Sequence, residues 1–113
     1  MEAPCLLYRQ VDRLAPRRIR NVDAFDGVLV GELVDGKLHF REAVEWGFRA
    51  ADVLTVLQCA KDHPLRTSPF VDPPRMRSAV WMEPRLRAEV SYAAIVEGRL
   101  RAPSWRRLMP RVR

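Results

Sequence analysis

The run Gly27-Val-Leu-Val-Gly-Glu-Leu-Val34, followed by Asp35-Gly36 and then Lys37–Glu45, constrains this chain more than any other feature. Its first part is short, apolar and rich in β-branched residues, which favours a strand. Asp-Gly tolerates the positive φ angles that a two-residue hairpin turn requires. In the third part Leu38, Phe40 and Ala43 or Val44 recur between polar residues, so one face is apolar and the other wet. The expected product is a β-hairpin, which needs further elements to cover its apolar face.

The rest of the chain supplies them. At 113 residues it is a single domain, 1–113, large enough to bury a core without disulfides. Pro4–Val11 reads as a strand. Residues 12–24 are polar, carry Arg17, Arg18 and Arg20, and read as a loop. Gly47-Phe48 breaks the strand pattern. Ala50, Val53, Leu54 and Leu57 then fall at helical spacing, with Cys59 and Ala60 close by, so one amphipathic helix is predicted over 50–61. It must stop before Pro64, because the residue preceding a proline avoids the α region. A connector with Pro64, Pro69, Pro73 and Pro74 follows. Val80–Met82 and Leu86–Val96 read as two more strands, interrupted at Pro84; Glu97-Gly98 turns the chain, and Leu100 belongs to a last short strand. The order is all-β with one short helix between the third and fourth strands. That order suits an OB-type five-stranded Greek-key β-barrel, and an SH3-like barrel fits the pattern nearly as well.

Charge is distributed unevenly. Residues 1–56 carry eight basic side chains against nine acids, and residues 57–113 carry twelve against five. From Arg99 onward there are six arginines and no acid. A one-sided basic field favours a polyanionic partner. Arg85 and Arg87 are two apart and share a strand face, as do Arg99 and Arg101. With Arg106 and Arg107 these are the six candidates for phosphate contact, and the two pairs are expected side by side as one patch. Trp46, Trp81 and Trp105 are candidates for base stacking. Trp105, beside Arg106 and Arg107, is the best placed for the surface, although aromatic residues of barrels are more often core.

Other chemistries find little support. Cys5 and Cys59 make no disulfide framework. Cys59, His63 and His39 are too scattered for a zinc site, so no metal is expected. The acid pairs Glu42/Glu45 and Asp23/Asp26 suit polar faces better than acid–base catalysis. There is no nucleophile elbow and no glycine-rich phosphate loop, and no cofactor is expected. Nothing is long and apolar enough to span a membrane, and the cytoplasm is the expected location.

The segment Trp81-Met-Glu-Pro-Arg-Leu-Arg-Ala-Glu-Val-Ser-Tyr92 resembles a Trp-x-x-Pro-x-Leu-x-Ala-Glu-Val-x-Phe block of the C-terminal OB domain of ATP-dependent DNA ligases, in particular the bacterial non-homologous end-joining type. Gly98-Arg-Leu-Arg-Ala-Pro-Ser-Trp105 is similar to that family's Gly-x-Leu-Arg-His-Pro-Ser-Phe. Gly27–Gly31 with Asp35–Leu38 resembles its first hairpin, Gly47-Phe48 its step before the helix, and Thr67-Ser-Pro-Phe70 with Pro73-Pro74 its connector. The likeness is clearest over residues 25–108.

The resemblance implies a sequence-independent DNA partner, duplex or nicked, and a part in DNA repair or recombination. It does not imply catalysis by this chain alone. The family's nucleophilic lysine stands in a Lys-x-Asp-Gly motif, and neither Lys37 nor Lys61 does. Its closing Arg-x-Asp-Lys motif corresponds to Met109-Pro-Arg-Val112, without the acid or the lysine. The family's first OB strand, with its Lys-x-Lys ending, is not evident before Pro4. The alternatives are the detached part of a split ligase, working with a separate ligase nucleotidyltransferase chain, and a degenerate ligase fragment.

Overall fold

The expected hairpin stands at one edge of the sheet. In the computed structural model, which describes residues 2–11, 25–75 and 79–109, strands β2 (Phe25–Val34) and β3 (Lys37–Val44) pair antiparallel with Val34 opposite Lys37. Asp35 and Gly36 have φ of 52° and 78°, the left-handed pair that this turn demands. Val28, Leu29 and Val30 are all fully buried, so the middle of β2 is covered on both faces. Residues 12–24, with Arg17, Arg18 and Arg20, lie outside the described residues.

Strand β1 (Glu2–Val11) organises the sheet. It pairs with β2 over Leu6–Val11. It also pairs with β6 (Arg87–Ser91) over Glu2–Leu6 and with β5 (Ala79–Met82) at Arg9 and Gln10. The order runs β3-β2-β1-β5-β4, where β4 is Pro64–Leu65, and β6 branches from β1 to carry β9 (Ser104–Leu108). A first strand is therefore present, and it pairs with three others.

Helix α1 (Ala50–Asp62) lies between β3 and β4, as expected. Its buried face is Val53, Val56, Cys59 and Ala60, and Leu54, assigned to that face from the spacing, is 55% exposed. The helix ends with the His63 amide donating to the Cys59 carbonyl at 2.9 Å, and Pro64 cannot extend it.

The expected strand Leu86–Val96 is split at Tyr92-Ala93. Its second half is β7 (Ala94–Val96), and the Glu97-Gly98 turn folds β8 (Arg99–Arg101) back onto β7 rather than onto β6. Arg99 fastens this hairpin to β3. Its Nη1 donates to the Phe40 carbonyl at 2.9 Å, and its guanidinium carbon lies 4.8 Å from the Phe40 ring centre. Arg41 returns the contact, with Nη1 on the Gly98 carbonyl at 3.3 Å.

The architecture is an OB-fold left open. Among the described residues no ladder joins β3 to β9. Instead the Trp105 amide donates to the carbonyl of Trp46, two residues past the end of β3, at 2.7 Å. The core fills the space between, with Val44, Val56, Phe40, Met82, Val90 and Trp105 among its members.

Candidate nucleic-acid interface

A bulge builds an arginine-rich surface on β6 and β9. In the β6–β9 ladder Glu89 faces Arg107 and Val90 faces Trp105, so Arg106 is the inserted residue of a β-bulge. Regular alternation would send one of two adjacent side chains inward. The bulge lets Trp105 point into the core while Arg106 and Arg107 both stay exposed. Arg87, on the solvent side of β6, is exposed two residues from Glu89. Among the described residues Glu89 is the acid that lines a cleft with Arg106 and Arg107, its Oε1 3.2 Å from Nε of Arg107. Arg107 is the exposed member of this pair, at 60% against 21% for Glu89, so its guanidinium can reach a second anion from solvent.

The loop from β3 to α1 supplies the opposite wall. Gly47 has φ of 89°, and a Cβ there would stand 2.5 Å from the Trp105 carbonyl oxygen and 2.8 Å from Oγ of Ser104. Only glycine lets the loop run this close to β9. The approach brings Arg49 opposite Arg106 and Arg107, and together Gly47, Arg49, Glu89, Trp105, Arg106 and Arg107 line an open cleft of about 380 Å³. Arg49 is the residue preceding α1, is exposed, and makes no side-chain capping bond. The first-turn amides of the helix add a partial positive charge on the same side, which Asp52 partly offsets.

Trp105 ties the two walls together from below. It is 2% exposed; its indole Nε1 donates to Oδ2 of Asp52 at 2.9 Å, and its ring lies 4.7 Å from that of Phe48. Three arginines and one carboxylate around an open cleft suit a phosphate: guanidinium forks can each hold two of its oxygens. Among the described residues no group of three or more His, Cys, Asp or Glu could hold a metal ion. No described helix is long and apolar enough to cross a membrane.

The model of the family described as the ATP dependent DNA ligase C terminal region matches residues 21–111. The chain belongs to this family. Two solved structures share the fold of this ligase C-terminal domain. One is the ligase domain of LigD from M. tuberculosis, 24% identical with a TM-score of 0.78. The match covers 97% of this chain and 35% of that one. The other is a mycobacterial DNA ligase D complexed with ATP and MES, also 24% identical, with a TM-score of 0.75 and the same coverage of each chain. The domain thus spans about a third of the ligase chains it matches. No curated protein sequence matches it.

Within this ligase C-terminal domain the six arginines singled out from the sequence fall into three places. Arg87, Arg106 and Arg107 share the outer face of β6 and β9. Arg85 is exposed with its Nε 2.8 Å from Oε2 of Glu83, and Glu83 bonds the His63 carbonyl at the far end of α1 from Arg49. Arg99 and Arg101 are on the β7–β8 hairpin, and β8 is not a ladder partner of β6. The side-by-side arrangement expected of the two pairs is therefore replaced by a β6–β9 arrangement, because the Glu97-Gly98 turn closes on β7. The Arg101 carbonyl accepts from the Ala93 amide, just past the Ser91–Ser104 end of the β6–β9 ladder. Sequence reasoning missed Arg49. Its only local signal was a basic residue after Gly47-Phe48, at the point where the strand pattern gives way to the helical one.

Proposed function

We propose that this domain binds DNA through its phosphates, without reading sequence, as part of DNA end or nick repair. The observation that carries the proposal is the bulge that turns Arg106 and Arg107 outward together, opposite Arg49. A guanidinium that neutralises a phosphate releases condensed counterions, so binding of this kind weakens steeply as salt rises. Fluorescence anisotropy with a labelled nicked duplex is expected to show affinity falling between low and physiological salt, with about the same affinity for unrelated sequences. Binding indifferent to salt, or none even at low salt, would refute it.

A second reading has the domain adding its barrel to a nucleotidyltransferase part, and its support is that the match covers 35% of each ligase chain. Both readings agree that this domain does not form an adenylate itself. Lys37 is exposed at the hairpin turn and Lys61 is exposed in the last turn of α1, neither with the Asp-Gly that follows the family's nucleophile. Covalent catalysis requires an activated nucleophile. Incubation with labelled ATP and magnesium is expected to leave this chain unlabelled. Under the second reading, label appears once a nucleotidyltransferase part is supplied, and on that part. An acid-labile adenylate on Lys37 or Lys61 would overturn both.

A further inference from the structure

The most exposed large apolar side chain of the described structure immediately precedes a residue that lines the arginine cleft. Trp46 is 72% exposed, more than any other large hydrophobic residue there. Its neighbour Gly47 lines the cleft with Arg49, Arg106 and Arg107. Among the described residues its ring packs against no other ring. Leaving an indole in water forgoes a large burial energy that the same chain collects at Trp105.

The anchoring of Trp46 is as informative as its exposure. Its carbonyl accepts the Trp105 amide at 2.7 Å, and Gly47 is pressed against the Trp105 backbone. The backbone under the ring is therefore tied to the strand whose next two residues are the cleft arginines. A fixed base reduces the ordering cost of any contact the ring makes. The exposed Leu33 and Val34 lie on the β2–β3 hairpin and Ile95 and Val96 on the β7–β8 hairpin, and none of the four adjoins in sequence a residue lining this cleft.

We infer that Trp46 is a stacking platform for an unpaired base, with the neighbouring phosphates held by Arg49, Arg106 and Arg107. An aromatic face beside a basic groove is the combination that holds single strands without regard to sequence, since every base has a π-face. A base inside an intact duplex is already stacked on both sides and cannot use the platform. The ligand is thus a single strand or an unpaired end. This rests on the phosphate-binding reading and adds to it the form of DNA recognised.

The test compares three labelled probes at one salt concentration: a thymidine strand of about twelve nucleotides, within the site sizes of such folds, an abasic strand of equal length and charge, and a blunt duplex. The parent is expected to bind the thymidine strand more tightly than the abasic one. Trp46→Ala should weaken thymidine-strand binding at least about fivefold, the effect of one stacked base, and leave the abasic and duplex affinities unchanged. Trp46→Phe should keep most of the preference. Unchanged thermal melting of both variants checks the fold. Equal binding of thymidine and abasic strands by the parent, or an unaffected Trp46→Ala, would overturn the platform. So would an equal loss on all three probes. If an Arg106→Ala/Arg107→Ala variant nevertheless loses all three probes, phosphate binding stands and only the stacking falls. If the parent binds none of them at low salt, both fall.

Discussion

Replacing Trp105 with alanine is expected to destabilise the domain by about 3–5 kcal/mol, the usual cost of emptying a tryptophan site in a core. Trp105 is almost fully buried and stacks on Phe48, so its removal leaves a cavity between α1 and β9. It also leaves Oδ2 of Asp52 without its indole donor. Domains of this size typically have only about 5–15 kcal/mol of stability in all. At about 4–8 °C per kcal/mol, the melting temperature should fall by more than about 12 °C. Trp105→Phe separates the two contributions. It keeps most of the ring volume and loses the hydrogen bond, and should cost about 1–3 kcal/mol. Thermal or denaturant melts followed by circular dichroism measure both. A Trp105→Ala protein melting within a few degrees of the parent would show that the ring is not what joins the two walls of the cleft.

The local features of this fold were legible in the sequence, and the features decided by long-range contact were not. The Asp35-Gly36 hairpin could be read because two residues with positive φ and two flanking apolar patterns agree. The extent of α1 could be read from its spacing and from Pro64. Which face of α1 is buried could not: the set of Ala50, Val53, Leu54 and Leu57 and the set of Val53, Val56, Cys59 and Ala60 both recur at helical intervals, and only the position of the sheet chooses between them. The break at Tyr92-Ala93 lies inside a run of apolar residues that reads as one strand. Strand β9 was not assigned from the sequence because its bulge destroys the alternation by which a strand is recognised: in Ser-Trp-Arg-Arg-Leu two adjacent residues, Arg106 and Arg107, are both exposed. The two arginines beside Trp105 made it the best surface candidate of the three tryptophans, although the general preference of barrel aromatics for the core held for it. Trp105 is in the core and Trp46 is outside. The family, in contrast, was readable from five short blocks in order, because those blocks record turns and packing contacts that tolerate few residue types.

Changing Arg106 and Arg107 together to alanine is expected to weaken DNA binding about tenfold or more at low salt, since a hydrogen bond to a charged group contributes about 1.5–3 kcal/mol. It should also flatten the slope of log affinity against log salt by about two units, one for each phosphate no longer neutralised. The loss should be the same for unrelated sequences, because phosphates carry no sequence information. Stability should change by no more than about 1–3 kcal/mol: both arginines are exposed, and the cost falls on the part-buried Glu89 that loses its Arg107 partner. Arg99→Ala is the informative contrast. Its guanidinium is already committed to the carbonyl and ring of Phe40, so this change should loosen the β7–β8 hairpin and leave the salt slope nearly as it was. Anisotropy titrations at four or more salt concentrations, with melts of each variant, give all these quantities. An Arg106→Ala/Arg107→Ala protein with the parent's slope would place the grip elsewhere. If Arg99→Ala flattened the slope instead, the DNA would run along the hairpin, and the cleft opened by the β9 bulge would not be its site.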